Sequence, residues 1–229
     1  MSAESDYAVG FGEPDTNTDP VISIATHSRP DAPGWSSAAT AVHAARRMAA
    51  SILMFLEAPG LSPIVIDFDR NIYAWDLPLH DVPAEPAHVD VQTRPIPVGE
   101  PLLAELAGRN LDELLWVIGL NSFDGALAWW LPANARYHMP RWPNLTVLPH
   151  NSAQMRMVAM LGNAYLSPNE LAGAGATSIR EAQRLLNALS LMGILQSSST
   201  RPEPLPVAQF VAPRHGLFRR LFERLSSRG

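Results

Sequence analysis

Cysteine is absent from the 229 residues, and so is lysine, because all 17 basic residues are arginine. Without thiols there is no disulfide frame, no zinc-thiolate or iron-sulfur site and no cysteine nucleophile. Without lysine there is no lysine-based catalysis. The arginine bias fits a GC-rich bacterial genome and the lack of thiols fits a reducing compartment, so the expectation is a cytoplasmic bacterial protein. Long hydrophobic runs are missing too: residues 48–56 are the best candidate for a membrane span, and a bilayer needs roughly 20. The first 20 residues hold Glu4, Asp6, Glu13, Asp15 and Asp19 and no arginine. They lack the basic start and apolar centre of a signal peptide and read as a disordered acidic leader. There is no Walker-type or Rossmann-type glycine loop and no Gly-x-Ser-x-Gly elbow, so no cofactor is expected.

What is present is globular composition, 47% hydrophobic with a net charge of -5. That balance speaks against a general nucleic-acid binder while leaving room for a local basic face. The pattern predicts an α+β fold: an acidic leader over 1–20, a small mixed domain over 21–145, a mainly helical domain over 153–200, a linker over 201–212 and a basic tail over 213–229. The boundary between the two domains falls near 140–152.

Within the first domain, 21–25 reads as a strand and 28–34 as a loop. Ser36 or Ser37 caps a long helix that carries Ala41, Ala44, Ala45, Met48, Ile52 and Phe55 at helical spacing until Pro59 and Gly60 stop it. The β-rich runs 64–68 and 72–75 flank Asp69, Arg70 and Asn71, the residue types of a tight hairpin turn. Five prolines over 77–97 leave room for one irregular edge strand near 88–92. Helices are expected at 102–106 and at 111–118, the second capped by Asn110 with Asp112 and Glu113 at its positive end. A strand is expected at 126–131. The segment carrying Trp129, Trp130, Tyr137 and Trp142 reads as seam packing rather than a ligand box.

The clearest signal lies over 153–195. Met155, Val158, Ala159 and Leu161 give a first helix its apolar face, and Ser167 followed by Pro168 starts a short second helix that ends at Ala172. Gly173 and Gly175 read as the turn, with Thr177 as the cap of a third helix. Ile179, Ala182, Leu185, Leu186, Leu189 and Met192 line one face of that helix, and Gly193 ends it before Ile194 and Leu195. This order of helix, helix, turn, helix and strand resembles the winged-helix, helix-turn-helix-like modules of bacterial regulatory proteins. The resemblance concerns fold and does not give function; a DNA reader built on it would present Ser178, Arg180, Gln183, Arg184 and Asn187 from the third helix. Against that use, Arg156, Arg180 and Arg184 are opposed by Glu170 and Glu181, so 153–195 carries three positive and two negative charges, a net of +1.

In the tail, Arg219, Arg220 and Arg224 accompany Leu217, Phe218, Leu221, Phe222 and Leu225, which fall on one side of a helix. A basic amphipathic helix of this kind suits docking into a partner's groove, with contact to an anionic membrane as the other use. Catalytic sets are weaker. Asp67, Phe68 and Asp69 superficially resemble the paired aspartates of haloacid-dehalogenase-type phosphotransferases, yet Arg70 and Asn71 replace the glycine-rich turn and a hairpin accounts for both aspartates. Asp76, His80, Asp81 and His88 have metal-ligand chemistry without a spacing that would converge them. The reading is therefore a non-enzymatic regulatory adaptor that binds a protein through its tail, with no metal and no small-molecule substrate, and a DNA-binding regulator is the second reading.

Overall fold

The computed structural model describes residues 34–48, 51–96 and 108–199. The expected elements at 21–25, 28–33, 102–106 and 213–229 lie outside those residues. The chain is mixed α and β and divides into two compact units between Asp124 and Gly125, upstream of the 140–152 region expected from the proline and tryptophan pattern.

The first unit is built on a five-stranded antiparallel sheet. Its strands are β1 (Ile52–Glu57), β2 (Ile64–Asp67), β3 (Ile72–Ala74), β4 (Asp90–Pro95) and β5 (Arg109–Asn110), arranged β4-β1-β2-β3-β5. Register puts Met54, Leu56, Ile64, Ile66 and Tyr73 on one face, and all five are buried. Helix α1 (Ser36–Arg47) packs against β4 and against α2 (Leu111–Leu120), which in turn packs against β3 and β5. Asn110 caps α2 by accepting from the Asp112 amide, as its sequence indicates.

The long first helix expected to reach Pro59 ends instead at Arg47, where Met48 turns extended with ψ 124°. Ile52 and Phe55 lie on β1. A continuous apolar run satisfies a helical period and a central-strand pattern equally well, and here the run is flanked by hydrogen-bonding strands on both sides. The expected hairpin is present: β2 pairs with β3 around a turn in which Asn71 adopts φ 53°. The proline-rich stretch is tied to the start of α1, since Nε1 of Trp35, the residue before the helix, donates to the Pro83 carbonyl and Ser37 Oγ to that of Val89.

The described residues of the second unit hold three helices, α3 (Ser152–Leu161), α4 (Pro168–Gly175) and α5 (Ile179–Leu191), with a small ladder of β6 (Arg136–His138) and β7 (Gln196–Ser198). Tyr137 also bridges to Leu166, between α3 and α4. Ser167 caps α4 in a full capping box with Glu170. Two local expectations shift. Gly173 and Gly175 stay inside α4, and the turn is made by Ala176 in the left-handed region at φ 50°, after which Ser178, rather than Thr177, caps α5. Gly175 is needed for packing: a Cβ there would stand 2.7 Å from Met157 Cγ on α3. On α3 the buried side is Gln154, Met157, Val158 and Leu161, leaving Met155 exposed, and Ile179 at the start of α5 is exposed too. On α3 the buried stripe is turned by about one residue from the expected one, keeping Val158 and Leu161, whereas on α5 and its C-cap Ala182, Leu185, Leu186, Leu189 and Met192 are buried as expected and only Ile179, in the first turn, is not.

Candidate functional site

The residues that a DNA reader would present are α5 residues together with its cap, Ser178, so the outer side of that helix is where the chemistry can be tested against geometry. Seven and three residues separate Arg180, Asn187 and Ser190, which at 3.6 residues per turn keeps the three within about 80° of one another over about 15 Å. Residues 126–131, expected as a strand, form none, and Gly125 and the irregular backbone after it run along this side. Arg180 lays its side chain against Gly125 so closely that a Cβ there would stand 2.1 Å from its Cγ. Asn187 accepts from the Ala128 amide at 2.9 Å and donates to the Ala126 carbonyl at 2.8 Å. Ser190 Oγ accepts from Trp130 Nε1 at 2.8 Å.

The carboxamide of Asn187 thus brackets Leu127 as a neighbouring strand would, taking the carbonyl before it and the amide after it. That explains why 126–131 forms no strand although its composition suits one: its polar backbone groups find a side chain in place of a ladder. It also removes Asn187 from solvent, with 0% exposure. In the DNA-reading alternative Asn187 would reach a base edge; here its side chain donates and accepts inside the unit.

The other predicted readers are partly committed. Ser178 accepts from the Glu181 amide at 3.2 Å as the helix cap. Arg184 is half-buried and meets Glu181 at 3.4 Å. Gln183 is half-buried, and Ser178 and Arg180 are exposed. The exposed polar surface of α5 is therefore its first turn, whereas Leu185, Leu186, Asn187, Ala188 and Leu189 are all fully buried. Elsewhere Arg156 donates to the Gly175 carbonyl at 2.6 Å, placing a cation at the negative end of α4. Arg136 forms a two-pronged pair with Glu170, one prong at 2.7 Å. Hydrogen bonds from the Ser167 backbone and hydroxyl, then Arg136, hold the Glu170 carboxyl below the usual carboxylate range.

Among the described residues no group of three or more histidine or acidic side chains is placed to hold a metal. His88 pairs with Asp90 at 2.8 Å and His80 with Asp81 at 3.5 Å, two separate exposed contacts. Asp67 is buried and accepts from the amides of Asp69 and Arg70 at 3.0 and 3.1 Å, which is turn chemistry. The predicted docking residues Leu217, Phe218, Arg219, Arg220, Leu221, Phe222, Arg224 and Leu225 lie outside the described residues. No helix among the described residues is long and apolar enough to cross a membrane.

Residues 125–130 were missed as part of this site. A signal was available: an asparagine in the middle of the run Leu185, Leu186, Asn187, Ala188, Leu189 is a polar group set in a core pattern, and such a group needs an internal partner. No protein-family model, no curated protein and no solved structure matches the chain.

Proposed function

We propose that this chain is a non-enzymatic cytoplasmic regulatory adaptor that binds other proteins, with a winged-helix-like second unit serving as a scaffold and the basic amphipathic tail as its docking element. The observation that carries this reading is the covered side of α5: Asn187 spends both hydrogen-bonding groups on Ala126 and Ala128, where a DNA reader needs them free for a base edge. The order α3, the Leu166 bridge, α4, α5 and β7 supports the winged-helix-like description. The net charge of +1 over 153–195 supports a use other than phosphate neutralisation. In the tail, Phe218 and Phe222 are the anchors, one turn apart in the sequence pattern, and Arg219, Arg220 and Arg224 flank them for an acidic rim on the partner.

The experiment is affinity capture from a lysate of the source organism with the full chain and with a version ending at Ala212, each with and without nuclease. A discrete protein that is lost on truncation and indifferent to nuclease is the expected result. Nuclease-sensitive capture of DNA by both versions overturns the reading in favour of a transcription regulator.

A further inference from the structure

We draw no further inference here: the strongest candidate, the outer edge of strand β4 with its exposed Asp90, Gln92 and Arg94, carries no proposal because nothing among the described residues shows what covers it.

Discussion

Asn187, in the middle of α5, has no exposed surface and holds the backbone amide of Ala128 at 2.9 Å, 59 residues away in sequence. One side chain thereby does for residues 126–128 what a neighbouring strand would do, and the consequence is a stability prediction. Asn187→Ala leaves the Ala126 carbonyl and the Ala128 amide without their partner, which costs about 2–4 kcal/mol. Asn187→Asp keeps the acceptor but loses the donor and sets a charge against the Ala126 carbonyl, so it is expected to be worse than alanine at neutral pH. Urea unfolding of the three proteins gives the order directly.

That pairing also shows where sequence reasoning succeeded and where it stopped. Ser167 before Pro168 and Asn110 before a run with two early acids fix helix starts through contacts three residues apart or fewer, so α2 and α4 were legible. Asp69, Arg70 and Asn71 likewise marked the hairpin. The stretch from Met48 to Phe55 was not legible, because an apolar run has no period of its own and β1 is defined by strands that come later in the chain. The start of α5 moved by one residue for a local reason, since Ala176 took the left-handed position that glycine would ordinarily take. The reader face was drawn from a fold resemblance. A resemblance gives the helix's place but cannot give what lies against it, and Gly125, Ala126, Ala128 and Trp130 lie against it through contacts 55 to 61 residues apart.

Gly125 is tied to Arg180 by space and by backbone at once, and the two causes can be separated. Gly125→Ala meets the Arg180 side chain and also places a Cβ at φ 73°. Removing the obstacle with Arg180→Ala relieves the first cost and leaves the second, the left-handed penalty of about 1–2 kcal/mol. The double mutant is therefore expected to be more stable than the sum of the two single changes, with a coupling of about 1 kcal/mol in a thermal or urea cycle. Strict additivity would mean that Arg180 moves aside without cost.

Asp67 is a structural carboxylate in this reading. Its Oδ1 accepts from the amides of Asp69 and Arg70, a role that an asparagine carbonyl can fill. Asp67→Asn is expected within about 0.5 kcal/mol of the wild type, and Asp67→Ala to lose about 1–2 kcal/mol as the turn gives up both bonds. Denaturant midpoints distinguish the two. Comparable losses in both variants would mean that the charge itself matters at this turn.

The pH dependence of the second unit is set in part by Glu170. Hydrogen bonds from Ser167 and the guanidinium of Arg136 favour its ionised form, so its folded-state pKa lies below the ordinary 4.5. A depressed carboxyl contributes stability that is complete above the unfolded value and is lost as pH falls through the folded one. Stability should hold from neutral pH down to about 5 and then decline below the ordinary carboxyl range. In Glu170→Gln the capping and Arg136 contacts are weakened at neutral pH, and the acid-side decline becomes shallower because this group no longer titrates. The comparison requires the difference between wild type and variant rather than either curve alone, since other carboxylates titrate in the same window. A difference that narrows as pH drops below 4.5 is the expected result, and a difference independent of pH would mean that Glu170 acts at the start of α4 through shape and not through charge.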